Sequence, residues 1–241
     1  MTLCMMMEQE TKFFMNFRTR ILALQFVIVL AFFSTRITAQ SEHPLTGRTI
    51  APVMGIGGAE WLERSDREME EMPEKALDAI GIRPGMSIAD IGAGTGYFSI
   101  RMAKRVGPGG KIYANDIQPE MLVRLKRRVA DAGLSNVQAV LGTESDPKLP
   151  AKTMDLILMV DVYHEFSQPQ LMLQNLRRAL KDDGALVLLE YRKEDPRIPI
   201  RPEHKMSVEE VKTEVTPEGF KFDKVLEVLP RQHILIFRKA N

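Results

Sequence analysis

The sequence predicts a doubly wound α/β domain, a mostly parallel seven-stranded sheet with helices on both faces and an antiparallel C-terminal hairpin. Three observations predict it. Beyond residue 96 short apolar runs alternate regularly with helical patterns, as parallel β-α-β units require. Runs such as Leu156-Ile-Leu-Met-Val160 are apolar throughout, which fits strands buried on both faces. At 241 residues, with 44% hydrophobic and 27% charged, the chain is long enough for one sizeable core and short for two.

The elements follow in order. Residues 1–40 read as a signal peptide or membrane-targeting segment. Arg18 and Arg20 precede the uncharged run Ile21 to Phe33, and Thr38-Ala39 offers small residues for cleavage before Gln40, although Ile37 makes that site less than ideal. Thirteen helical residues reach about 20 Å, short of the roughly 30 Å of bilayer hydrocarbon, so a signal is favoured over a permanent anchor. Met15-Asn-Phe-Arg-Thr-Arg20 is a more typical basic start than Met1. Residues 41–58, polar and ending in Gly55-Ile-Gly-Gly58, read as a linker or a lid, and residues 59–241 as the folded domain.

A helix is expected from Ser65, where Ser65-Asp-Arg-Glu68 spells a capping box, and a second helical piece from Pro73 to Gly81. Ile88-Ala-Asp-Ile91 is a strand that feeds three glycines, Gly92, Gly94 and Gly96. Such a loop can turn sharply and let the backbone pass close to a ligand at a strand's carboxyl end. A helix follows over about Tyr97 to Val106. The spacing is G-x-G-x-G, whereas the dinucleotide fingerprint G-x-G-x-x-G would need glycine where Tyr97 stands, so a ligand without a diphosphate fits better. Lys111 to Asp116 is a second strand. It ends twenty residues after Gly96 in a carboxylate placed to accept hydrogen bonds from ribose hydroxyls.

Pro119 to Ala132 is expected as a helix with Leu122, Leu125 and Val129 on one face and Gly133 as its stop. Strands follow at 136–141, 154–160 and 185–191. Between the last two lies a helix capped by Ser167-Gln-Pro-Gln170 and running to about Leu180. The tail holds a helix from Ser207 to Glu214 with its own capping box. Two strands, 221–228 and 233–238, flank Pro230 and are expected to pair as a hairpin.

Charge and cysteine exclude several functions. Residues 1–40 hold Lys12, Arg18, Arg20, Arg36, Glu8 and Glu10, which leaves 29 basic and 30 acidic side chains of the chain's 33 and 32. A near-neutral body is not steered to nucleic acid. Cys4, the sole cysteine, lies outside the domain, so a disulfide framework or a cysteine-ligated metal site is excluded there, and no metal ligands are assigned.

Together, Asp90-Ile-Gly-Ala-Gly-Thr-Gly96 and Asn115-Asp116-Ile117 resemble the nucleoside-binding half of class I S-adenosylmethionine-dependent methyltransferases, a Rossmann-like family, over roughly Glu60 to Asn241. The resemblance implies S-adenosyl-L-methionine as cofactor. The loop of Gly92, Gly94 and Gly96, with Asp90, would lie against its amino-acid part, Asp116 would hold the ribose, and Ile117 would pack on the adenine. Asp161-Val-Tyr-His-Glu165 would border the methyl group and the acceptor. There Asp161 joins the cofactor set, and His164 or Asp161 is a candidate to take a proton from an acceptor. The alternative is that Tyr163 and His164 cap the sheet edge and bond to backbone.

Glu144 or Asp146 is a candidate for the adenine amino group, although this stretch departs from the family's Gly-Asp pattern and reads equally as a solvated turn before Pro147. Glu190 and Tyr191 would line the acceptor pocket, with His204 a weaker candidate. Trp61 and Arg64 would close it from above or pack at the surface. The absence of an Asn-Pro-Pro-Tyr or Asp-Pro-Pro-Tyr segment argues against adenine or glutamine amino groups as acceptors, and a domain without the several cysteines that arsenite methyltransferases need argues against arsenite. A small-molecule acceptor is therefore expected. Nothing in the sequence sets an oligomeric state.

Two rival readings stand beside this one: an exported cofactor-binding module without catalysis, and a nicotinamide-dependent oxidoreductase. Localisation pulls against the cofactor, because S-adenosylmethionine is made and kept in the cytoplasm while the leader directs export or membrane attachment. An uncleaved segment that holds the domain on the cytoplasmic face reconciles the two.

Overall fold

A computed structural model describes residues 41–240, so the targeting segment expected over residues 1–40 lies outside the described residues. Five strands, β1 (Ser87–Ile91), β2 (Lys111–Asp116), β3 (Val137–Leu141), β4 (Met154–Val160) and β5 (Leu180–Tyr191), pair in parallel. β6 (Phe220–Leu226) and β7 (Gln232–Lys239) add antiparallel, giving the order β3-β2-β1-β4-β5-β7-β6. The strand order reverses between β1 and β4, which opens a crevice at their carboxyl ends. Register keeps those ends level, since Ile91 lies opposite Asn115 of β2 and Met159 of β4.

The apolar strands divide their side chains between two cores. Ile157 and Met159 of β4 pack with Ala89, Leu186, Leu188 and Phe237 on one face, while Leu156 and Leu158 pack with Ile88, Ile112, Val187 and Ile236 on the other. This is why no polar position interrupts the run. α1 (Ala59–Leu62), α2 (Arg67–Glu71), α3 (Pro73–Ile80), α4 (Tyr97–Val106), α5 (Pro119–Asp131), α6 (Pro169–Ala179) and α7 (Val208–Val215) flank the sheet. Proline opens α3, α5 and α6 at the first turn, where its missing N–H costs nothing.

Several local expectations change. The capping box at Ser65 does not form: α2 starts at Arg67 behind Asp66 without a side-chain cap, because Glu68 is taken by the Tyr97 hydroxyl and by Arg101. Ser167 does not cap α6 either, since Gln168 holds the N-cap position and the Ser167 hydroxyl donates to Glu144. At Ser207 the box does form, the hydroxyl accepting from Glu210 N–H at 3.1 Å while Glu210 accepts from Ser207 N–H at 2.9 Å. β5 begins at Leu180 instead of Ala185. Its first residues pair irregularly around Met154, and there a Cβ on Gly184 would meet the Met154 carbonyl at 2.9 Å.

The stretch 41–58, read as linker or lid, is packed on the domain. His43, Arg48, Ile50 and Ala51 are buried. Arg48 grips Glu214 of α7 with two guanidinium nitrogens, and Ala51 N–H donates to the His164 carbonyl. Among the described residues no helix is long and apolar enough to cross a membrane.

Candidate functional site

The loop after β1 takes the conformation its glycines permit, with φ of +67° at Gly92, +53° at Gly94 and +87° at Gly96. Their missing side chains also admit protein neighbours. A Cβ on Gly92 would lie 2.4 Å from Val162 Cγ2, and one on Gly94 would lie 2.7 Å from Leu62 Cδ1 of α1. The loop is thus clamped between the segment after β4 and α1, which the glycine pattern alone did not reveal.

At the end of β2 Asp116 is buried, and its two oxygens accept N–H bonds from Gly94 and Gln118, each at 2.9 Å. Burial pushes its carboxyl above the usual carboxylate range, against those two backbone donors. Each oxygen keeps a second lone pair for a ligand. Ile117 is half-buried beside it. Asp90, by contrast, is already engaged: it accepts from the Ser99 hydroxyl of α4, and burial pushes it up to about 7. Glu144 is exposed and accepts from the Ser167 hydroxyl, which ties the turns after β3 and β4 together. Asp146 is held by Lys148.

After β4 the chain turns through Asp161 at φ +48°, a left-handed conformation rare for residues with a side chain. Asp161 Oδ2 accepts from Gln232, whereas Oδ1 is buried with no hydrogen-bond partner. Burial raises its carboxyl well above the ordinary value, and the nearby Glu71 and Glu190 carboxylates push the same way. An orphaned buried acceptor of this kind fits a ligand donor such as the ammonium of an amino-acid moiety.

His164 and Tyr163 do not simply cap the sheet edge. The His164 ring is buried between two partners, Nδ1 at 2.7 Å from Glu190 Oε2 and Nε2 at 3.1 Å from His204 Nδ1. Glu190, fully buried at the end of β5, accepts the Tyr163 N–H on its other oxygen. Glu165 accepts from Met54 N–H at 3.2 Å, and burial pushes it up to about 7. Sequence reading assigned no metal ligands, yet His164, Glu165 and His204 each bring a ligand atom to within 4.8 Å of the others.

A second network went unforeseen. Glu71, at 2% exposure, accepts from Arg67, Arg64 and the Tyr191 hydroxyl at 2.7, 2.6 and 2.8 Å. Its only sequence signal is the i,i+4 spacing of Arg67 and Glu71 just before Pro73. Tyr191, expected on an acceptor pocket, is therefore spent on this network, and burial raises its hydroxyl far above the ordinary value. Trp61 is exposed, with the Arg64 guanidinium stacked 3.8 Å over its ring.

Comparisons with known proteins agree with the fold. The methyltransferase domain family matches residues 82–228. A ubiquinone/menaquinone biosynthesis C-methyltransferase, UbiE, of Bordetella avium is 34% identical over 110 residues, 46% of this chain and 43% of the relative. The nocamycin O-methyltransferase of Saccharothrix syringae is 32% identical over 114 residues, 47% of this chain and 41% of the relative. The chain therefore spans less than half the length of these curated relatives. The crystal structure of a SAM-dependent methyltransferase from Aquifex aeolicus superposes with a TM-score of 0.74 at 30% identity, covering 78% of this chain and 100% of that one.

Proposed function

The chain belongs to the S-adenosylmethionine-dependent methyltransferases, and from that premise we propose that it moves a methyl group from this cofactor to a small molecule bearing an ionisable hydroxyl. The observation that carries the cofactor's placement is Asp116, a buried carboxylate aimed from β2 beside the glycine loop with both oxygens preset by backbone N–H groups. When bound, the cofactor supplies a methyl group on a sulfonium, already a good leaving group.

The residues bind and orient. Asp116 accepts the two ribose hydroxyls and Ile117 packs on the adenine. Asp161 Oδ1, lacking a partner, accepts from the methionine ammonium. Val162 and Leu62, which press on Gly92 and Gly94, keep water from the loop. The acceptor lies on the β4 and β5 side, where His164, Glu165, Glu190 and His204 gather. Imidazoles and carboxylates there suit a hydroxyl that must lose its proton, a chemistry open to both O-methylation and methylation of a hydroxylated ring carbon. The named functions of the two curated relatives, one a quinone C-methyltransferase and one an O-methyltransferase, support that class. Residues 1–40 direct export or membrane attachment, a reading supported by Arg18 and Arg20 ahead of the apolar run.

The test is transfer of labelled methyl from S-adenosylmethionine to a panel of phenols, quinols and aliphatic alcohols, with S-adenosylhomocysteine measured as co-product. Transfer confined to ionisable hydroxyl compounds is expected. Tight cofactor binding with no transfer to any of them would leave a binding module in place of an enzyme.

A further inference from the structure

We propose that His164 Nε2, His204 Nδ1 and the Glu165 carboxylate bind one divalent first-row transition-metal ion of the zinc class, beside the acceptor side of the cleft. The site itself stands without the methyl-transfer reading. Its use, to hold an acceptor oxygen, rests on that reading.

The imidazole nitrogens are already near their places. Ligands at about 2.0–2.1 Å from a tetrahedral ion are about 3.3 Å apart, and the two ring nitrogens face one another at 3.1 Å. The Glu165 carboxylate brings an oxygen within 4.8 Å of a ligand nitrogen on each imidazole, so it has less than about 2 Å to close. Two separate segments supply the donors: the turn after β4 carries His164 and Glu165, and the turn Pro202–His204 carries the second imidazole, while Met54 N–H holds the Glu165 carboxylate.

The outer partner is also in place. Ligating histidines donate their second ring N–H to a carboxylate, which fixes the tautomer and strengthens the ligand nitrogen. Glu190 receives His164 Nδ1 at 2.7 Å, is fully buried, and is itself anchored by Tyr163 N–H, so the lone pair falls on His164 Nε2.

Charge points the same way. Among the described residues Glu190 has no cationic partner except the His164 ring, and Glu165 pairs with no Lys or Arg. A dication between them would favour the ionised form of both carboxylates against the effect of burial. The N2O donor set favours zinc, cobalt, nickel or iron over magnesium or calcium, which prefer all-oxygen sites. Met54 also places the cluster beside the cofactor side, since its carbonyl accepts from Gln118, the residue whose N–H holds Asp116. In use, the ion would take the oxygen of a hydroxylated acceptor as its anion, the proton leaving to water. The acceptor atom would then form its bond to the methyl carbon as the carbon–sulfur bond breaks to leave a neutral thioether.

The experiment is calorimetric titration of ZnCl2 and CoCl2 into untagged, chelator-stripped full-length chain, with the visible ligand-field bands of Co2+ recorded alongside. One equivalent should bind at micromolar affinity or tighter. His204→Ala and Glu165→Gln should each weaken it at least tenfold and alter the Co2+ bands. Glu190→Gln, which leaves the ligands in place, should weaken it by about tenfold, and His233→Asn, opposite Glu190 on β7 but with its ring held by Glu194 and Glu227, should leave it unchanged.

S-adenosylhomocysteine is titrated into the same samples as the control for folding. Absence of stoichiometric metal binding in the unaltered chain, or equal binding in His204→Ala, overturns the metal site even if S-adenosylhomocysteine still binds. Metal binding without S-adenosylhomocysteine binding overturns the cofactor reading and leaves the site standing.

Discussion

Asp116→Ala tests the cofactor site most directly. In the structure each carboxylate oxygen already accepts one backbone N–H, from Gly94 and from Gln118, both at 2.9 Å, and each has one lone pair left for a ribose hydroxyl. Hydrogen bonds to a charged acceptor are worth about 1.5–3 kcal/mol each, so loss of even one lowers affinity by about tenfold, and loss of both by about a hundredfold or more. The same change strips the two N–H groups of their acceptor at a cost of about 1–3 kcal/mol each if they stay buried, so a lower thermal midpoint should accompany the weaker binding.

Asp116→Asn separates the effects, because it keeps an acceptor oxygen and loses the charge. Burial raises the Asp116 pKa, so binding should weaken on acidification at a pH above that expected for an ordinary aspartate. The assay is calorimetric titration of S-adenosylhomocysteine into the full-length chain, with circular dichroism as the folding control. Affinity within twofold of the unaltered chain in a folded Asp116→Ala variant would refute the assignment.

Gly94→Val should abolish S-adenosylhomocysteine binding with a modest loss of thermal midpoint, because φ is +53° and the nearest obstacle is the flexible end of Leu62; normal binding would reduce the loop to a turn. Glu71→Ala should cost about 3–5 kcal/mol in urea unfolding, since it leaves Arg67 and Arg64 facing an emptied site, and a loss below about 1 kcal/mol would show the network to be dispensable. Asp90, pushed up to about 7 by burial, binds its proton more tightly in the folded chain than in the unfolded one. Its stabilising contribution is therefore complete below about pH 4 and is lost as pH rises through about 7. The thermal midpoint should accordingly fall between about pH 4 and pH 7 more steeply than in Asp90→Asn, which keeps an acceptor for Ser99, and equal slopes would contradict this. Cell fractionation with amino-terminal sequencing should find a product outside the cytoplasm or on the membrane; a soluble cytoplasmic chain that retains Met15 to Ala39 would remove the targeting proposal.

Order and type of the main elements were legible in the sequence because the signals are local. The apolar run of β4 reports burial on both faces, the prolines of α3, α5 and α6 mark helix starts, and Ser207 with Glu210 caps α7 as spelled. Identical spelling at Ser65 failed because Glu68 found stronger partners, Tyr97 and Arg101, in a helix that reaches it only through the fold. A cap is worth about 1 kcal/mol, and the Tyr97 hydroxyl and the Arg101 guanidinium together offer Glu68 two bonds in place of that one.

The meeting of the glycine loop and Asp116 was likewise readable, since both lie within one β-α-β unit and join through a bond from Gly94 N–H. The cluster around Glu190 was not. Glu190, His164 and His204 come from three segments, and Arg48 meets Glu214 across 166 positions of sequence, so no spacing rule couples them. By itself the sequence determined the periodicities, the turns and the residues that each strand end offers, because these depend on near neighbours along the chain. Which polar groups share a buried space, and so which are left with a lone pair or a charge to be met, was decided only when the strand order brought β4 beside β5 and folded residues 41–58 against their ends.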